Sequence, residues 1–106
     1  MKAVKFVGSC LDDIKDFPAE VRRVVGFDLD ALQRGLEPKD WKPMTSVGPG
    51  TCEIRIHVLG EWRVIYVAKF KEAIYVLHSF QKKTQKTRQS DIDIAKARYS
   101  QIGGTR

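Results

Sequence analysis

Cysteine is scarce in this 106-residue chain: only Cys10 and Cys52 occur, and their separation fits no metal-binding or redox spacing. With Cys52 on an apolar strand face, a reduced, cytoplasmic protein is the simplest expectation. No apolar run is long enough to span a bilayer and no signal peptide is recognisable, so no membrane association is expected. Internal repeats and low-complexity segments are absent. No Asp/Glu/His cluster has metal-ligand spacing, which speaks against metal-assisted hydrolysis. No Ser–His or Cys–His arrangement is recognisable either, and no cofactor is implied. Acid is also in short supply: 13 Asp and Glu against 19 Lys and Arg leave a net charge of +6. Such a balance points to an acidic partner, nucleic acid first and an acidic protein segment second. Small basic domains are common, however, and charge alone names no ligand. At this length, with 42% hydrophobic and 30% charged residues, a single soluble domain over 1–106 with one core is expected.

What is present centres on residues 51–84, TCEIRIHVLGEWRVIYVAKFKEAIYVLHSFQKKT. Three strands are predicted, at 51–58, 61–70 and 73–80, joined at Leu59-Gly60 and Lys71-Glu72 by hairpin-length breaks. Successive side chains on a strand point to opposite faces. Pairing odd-numbered residues with odd ones across the first hairpin buries Ile54, Ile56, Trp62, Val64 and Tyr66 together and sets Arg55 beside Arg63 on the other face. A slip by one residue would put Arg63 among the isoleucines. Two neighbouring arginines with no obvious carboxylate between them repel, which is tolerable where an anion binds. The plainer alternative pairs them with Glu53 or Glu61.

Ahead of this stretch, residues 2–7 predict a short strand joining the later sheet, and 10–16 a helix capped by Ser9 with Asp12. That helix offers Leu11, Ile14 and Phe17 to the core. Pro18 opens a longer helix to about Arg34, with Val21, Val24, Val25, Leu29 and Leu32 inward and Gly26 allowing close packing against a neighbour. Residues 35–50 hold three prolines and three glycines and predict an irregular loop pinned by Trp41 and Met44, with Lys39 and Lys42 near the basic face. After the third strand, 81–89 carries four cations and no acid. Ser90 and Asp93 then cap a last helix with Ile92, Ala95, Tyr99 and Ile102 inward, and a tail from Gly103 expected to fray. The expected fold class is α+β, in the order β-α-α-β-β-β-α, with helices on one face of an antiparallel sheet.

The segments FPAEVRRVVGFDLDALQRGLEPKDWKPM, VGPGTCEIRI, RVIYVAKF and IYVLHSFQKKTQKT, followed by DIDIAKAR, resemble the RelE/ParE superfamily of toxins, closest to its phage-derived HigB-type branch. The resemblance runs over nearly the whole chain. It implies a RelE-like fold, an antiparallel sheet packed on an N-terminal helical hairpin. It also implies the toxin of a type II toxin–antitoxin system, cleaving mRNA on the ribosome and silenced by a helix-turn-helix (HigA-like) antitoxin. Arg55 falls on the arginine of the family's E-[LI]-R segment, Arg63 and Tyr66 on its R-[VL]-x-Y segment, and Phe80, Lys82 and Lys83 on F-x-K-K. The histidine–tyrosine pair that many relatives carry near the C-terminus is missing, and Tyr99 is the one possible counterpart of a RelE-type C-terminal tyrosine. A ParE-like gyrase inhibitor and a non-catalytic phage-derived binding protein are the alternatives.

Cleaving RNA without metal takes a base for the ribose 2′-hydroxyl, cations for the charged phosphorane, and an acid for the leaving 5′-oxygen. Arg55 and Arg63 suit a phosphate clamp, and Lys82 beside them is a candidate base. Lys83, Lys42 and Lys86 are candidate RNA contacts. His78, two residues before Phe80, shares its face and is either a catalytic group or a histidine packed within a central strand. Phe80 either stacks on a base or packs in the core. Tyr66 lies on the buried face, and His57, nearer the turn, is expected to be solvated.

Overall fold

The computed structural model describes residues 1–104. In chain order its elements are β1 (Ala3–Phe6), α1 (Cys10–Lys15), α2 (Ala19–Gln33), β2 (Trp41–Pro43), β3 (Thr51–Ile56), β4 (Trp62–Val67), β5 (Ala73–Gln81) and α3 (Gln89–Gly104). This is the expected RelE-like β-α-α-β-β-β-α order with one addition, the three-residue β2 inside the segment read as irregular. β3 needs a partner along its outer edge, and Trp41 and Lys42 supply it opposite Ile54 and Glu53. Pro43 closes β2 at the sheet's rim, where a missing N–H does little harm.

The five strands lie in the order β1-β5-β4-β3-β2, antiparallel throughout except for β1, which runs parallel to β5. The β3–β4 hairpin turns through Leu59 and Gly60, both at positive φ. Its register is odd with odd: Ile54 faces Val64 and Arg55 faces Arg63. The β4–β5 pair is less regular. Tyr66 faces Val76 but Ile65 faces His78, so Leu77 is an extra residue in β5. The Leu77 carbonyl accepts a hydrogen bond from Nη1 of Arg98 on α3 (3.0 Å), a partner for a group the bulge takes out of the ladder.

Helices cover both faces rather than the one expected. α1 and α2 pack Cys10, Ile14, Val21, Val25, Leu29 and Leu32 over Ile54, Ile56, Val64, Tyr66, Ile74 and Val76. On the other face α3 lays Ala95 and Ile102, with Ile92 and Tyr99, over Ile65, Val67 and Leu77. All six residues of β4 are buried, as a strand covered on both sides requires. Leu11, expected in the core, is exposed.

The helix starts differ from the sequence reading. Ser9 makes no side-chain cap; its hydroxyl donates to Asp13 (2.9 Å), while its carbonyl accepts the Asp13 N–H. α3 begins at Gln89, so Ser90 lies inside it, and the Arg88 carbonyl accepts from Asp91 and Ile92. Nothing approaches Gly26, where an added Cβ would meet no atom within 4 Å. α3 runs to Gly104, into the tail expected to fray from Gly103; the rest of that tail, Thr105 and Arg106, lies outside the described residues.

Candidate functional site

The face of the sheet that carries α3 has a polar half beyond the helix. Strand register arranges it in two rows. One row runs Lys42, Glu53, Ile65, His78 across β2, β3, β4 and β5; the next runs Arg55, Arg63, Phe80. The bulge at Leu77 matters here, because it shifts His78 and Phe80 onto the face of Arg63. The expectation that Arg55 and Arg63 share one face is met, and the register puts His78, Phe80 and Lys42 on that face as well.

The expectation that the two guanidiniums stand without an acid is not met. Arg55 donates through Nε (3.1 Å) and Nη2 (2.9 Å) to one oxygen of Asp40, in the segment leading into β2. Arg63 is only 5% exposed; its Nη1 donates to Glu61 (3.1 Å) and to the Trp62 carbonyl (2.9 Å). Its Nε lies 3.9 Å from Glu53, with no hydrogen-bond partner. Burying a guanidinium requires a carboxylate nearby, and the chain supplies Glu53 and Glu61. The plainer of the two sequence readings is therefore the observed one for Arg63, and Asp40 does the same for Arg55.

His57 is exposed, as expected, and is also held at both ring nitrogens. Its Nε2 lies 2.6 Å from Asp40 and its Nδ1 2.8 Å from Glu61, so both ring nitrogens face carboxylates. That geometry suits the doubly protonated ring. The hydrogen bond to Asp40, then that to Glu61, raises the His57 pKa. The same contacts hold Asp40, bound first by His57 and then by Arg55, and Glu61 below their usual carboxylate range. Asp40 and Glu61 thus link Arg55, His57 and Arg63 into one alternating chain of charge.

His78 is buried, its Nε2 2.8 Å from Asp91 in the first turn of α3. Its ring stacks on Phe80 with centroids 4.9 Å apart. Nδ1 is buried and has no partner. Tyr66 packs in the core among residues covered by α2, and burial raises its hydroxyl pKa. Tyr99 donates to the Pro49 carbonyl (2.7 Å) and packs beneath the loop before β3, a structural position.

The cations meet elsewhere. Lys42, Lys82 and Lys86 line a cleft of about 420 Å³ between β2 and the loop after β5, together with Glu53, Thr45, Gln85 and Thr87. Lys82 reaches it after its N–H binds the Glu61 carbonyl, and its Nζ donates to the Gln85 carbonyl (2.8 Å). Glu53 is the one acid among the lining residues; it is 3% exposed and its carboxylate is 3.9 Å from Lys42 Nζ. Lys83 is exposed on the same loop but does not line the cleft. Lys39 lies apart, in a second hollow with Asp28, Asp40 and Arg55 along the open edge of β3. Among the described residues no three His, Cys, Asp or Glu side chains are placed to hold a metal ion.

Residues that sequence reasoning missed are Asp40, Asp91 and the role of Glu53 as a wall of the basic cleft. A period-two reading places Glu53 on the face of Arg55, so that signal was available; for Asp40 and Asp91 there was none.

The fold is RelE-like, the fold of a superfamily of toxins and endonucleases. The family model described as phage derived protein Gp49-like matches residues 12–100. No curated protein matches the chain.

Proposed function

Since the chain belongs to the phage-derived Gp49-like family, we propose that it is the toxin of a type II toxin–antitoxin system, an endonuclease that cuts mRNA on the ribosome without a metal. A small helix-turn-helix antitoxin neutralises it in the cytoplasm. The observation that carries this reading is the convergence of Lys42, Lys82 and Lys86 on one cleft with Glu53 in its wall, on the sheet face that also bears Phe80.

In this reading the lysines hold the scissile phosphate and offset the charge of the phosphorane, Glu53 accepts the 2′-hydroxyl proton, and a lysine ammonium of the cleft gives a proton to the leaving 5′-oxygen. Phe80, partly exposed and backed by His78, offers a surface for a base. His78, with Nε2 held by Asp91 and Nδ1 buried, steadies Phe80 instead of reaching substrate. Arg63 positions Glu53. Arg55, with 34% of its side chain exposed, is the guanidinium for which an RNA phosphate competes with Asp40. Lys83 adds a backbone contact outside the cleft.

The test is induction of the chain in cells, with primer extension on translated messages. Wild type should arrest growth and cut messages. Glu53→Gln and the triple Lys42→Ala/Lys82→Ala/Lys86→Ala should each lose about 10²-fold or more in cleavage while keeping native circular dichroism. Full toxicity in both variants refutes the site.

A second reading has its own support. Both guanidiniums of the sheet already carry carboxylate partners, as they would in a ParE-like gyrase inhibitor or a non-catalytic binding protein. A supercoiling assay that responds to the chain, with messages left intact, selects the gyrase inhibitor. Harmless overexpression of folded protein selects the binding protein.

A further inference from the structure

On the side of the molecule opposite the basic cleft, α2 presents a stripe that nothing among the described residues covers. Glu20, Arg23, Phe27 and Asp30 recur at spacings of three, four and three residues, so they stand on one helix face, and Arg34 at the C-cap extends the row with its Nε 3.1 Å from Asp30. The buried residues Val21, Val25, Leu29 and Leu32 occupy the other face. Phe27 is 74% exposed, and Gly26 beside it has open space where a side chain would be. A glycine inside a helix costs stability, and nothing among the described residues packs against it.

The charges along this stripe run minus, plus, Phe27, minus, plus. Read backwards, the signs invert. A second α2 laid antiparallel across Phe27 therefore meets Glu20 with Arg34, Arg23 with Asp30, and Phe27 with Phe27. A parallel copy would oppose like charges at every position. The stripe carries two charges of each sign, so it offers an acidic partner or nucleic acid no net attraction despite the chain's +6. Gly26 removes the side chain that would otherwise hold the second phenylalanine ring away.

We propose that α2 is the interface of a two-fold symmetric homodimer, with a second copy of this chain packed antiparallel on the Glu20–Arg34 stripe. An isologous contact has this self-complementarity. One helix crossing is small beside a standard interface, so the dimer is a weak one, with Kd on the order of 10–100 µM. The two basic clefts stay open on the outer sides.

Sedimentation equilibrium of the full chain from ~1 µM to ~500 µM, at low and high salt, tests the proposal. The expected result is reversible dimerisation, weakened by salt and abolished by Phe27→Asp. Arg23→Asp and Asp30→Arg should each weaken it by about tenfold, since the symmetry repeats each repulsive contact twice. The double variant Arg23→Asp/Asp30→Arg should restore wild-type affinity. All of these positions are on the helix surface, and circular dichroism confirms that each variant is folded. A chain that stays monomeric at the highest concentration overturns the proposal, and the stripe then belongs to a different protein. A dimer indifferent to Phe27→Asp, or a double swap that fails to restore it, overturns it as well.

Discussion

Replacing Arg63 by methionine separates its structural from its chemical role. Arg63 and Glu53 have side chains only 7% and 5% exposed, with Nε and the carboxylate 3.9 Å apart. At that distance, and with the effective dielectric that suits protein charge pairs, their attraction is about 4 kcal/mol before desolvation is counted. Arg63→Met leaves Glu53 buried with only the solvent-facing Lys42 beside it. Removing one member of a buried pair costs about 3–5 kcal/mol, and the lower figure fits here because Lys42 remains. Glu53→Gln is milder, about 1 kcal/mol, because Arg63 keeps Glu61 and the Trp62 carbonyl. The double variant should recover about 2 kcal/mol of the sum, since no buried charge is then left alone. Urea unfolding at pH 7 measures all four corners of the cycle, and a melting curve should show Arg63→Met lower by roughly 12–20 °C. Strict additivity, or a loss below about 1 kcal/mol for Arg63→Met, would refute the buried pair and return Arg63 to the role of a free phosphate ligand.

Three further measurements follow from the same structure. The Asp40–His57–Glu61 cluster should make stability depend on pH. The raised His57 contributes fully below its ordinary 6.5 and loses its contribution as pH climbs through the folded value. The depressed Asp40 and Glu61 contribute fully above their ordinary 3.8 and 4.5 and lose theirs in acid. Urea midpoints should therefore be highest between these ranges, and His57→Gln should flatten the alkaline limb; parallel curves for the two proteins contradict it. Gly26→Ala, in a helix with free space around the new methyl, should raise monomer stability by about 0.5–1 kcal/mol in dilute urea titrations while weakening any self-association. Cys10 is fully buried and burial pushes its thiol pKa up, so a thiol reagent should modify the half-buried Cys52 first and reach Cys10 only through unfolding. Equal rates for both thiols would contradict that placement.

Much of the frame was legible because it rests on local rules. Alternation in EIRI and RVIY fixed the hairpin register, Leu59-Gly60 marked the turn, and the valine and leucine spacing of α2 marked its inner face. β2 was not legible, since three residues ending on a proline carry no period and pair only because β3 offers an edge. The position of α3 was missed because its stripe of Ile92, Ala95, Tyr99 and Ile102 says that a face is buried, not against which side of the sheet. At the candidate site, the rows of side chains followed from strand parity, but the counter-charges did not. Asp40 lies 15 residues before Arg55, and Asp91 lies 13 residues after His78, so neither pairing leaves a trace in local spacing. The basic cleft formed from Lys42, Lys82 and Lys86 for the same reason: distant segments met through topology.

One residue in β5 carries a consequence of a different kind. Leu77 is the extra member that changes which parity faces which side, and everything after it in the strand inherits that change. Swapping Leu77 for another apolar residue alters only a local fit beneath α3. Losing its codon would close the bulge and leave His78 opposite Ile65 and Phe80 opposite Arg63, while removing an apolar side chain from beneath α3 and the carbonyl that accepts from Arg98. One more residue after Leu77 would instead turn His78 and Phe80 toward α1, so the strand should tolerate the loss of this member better than the gain of another.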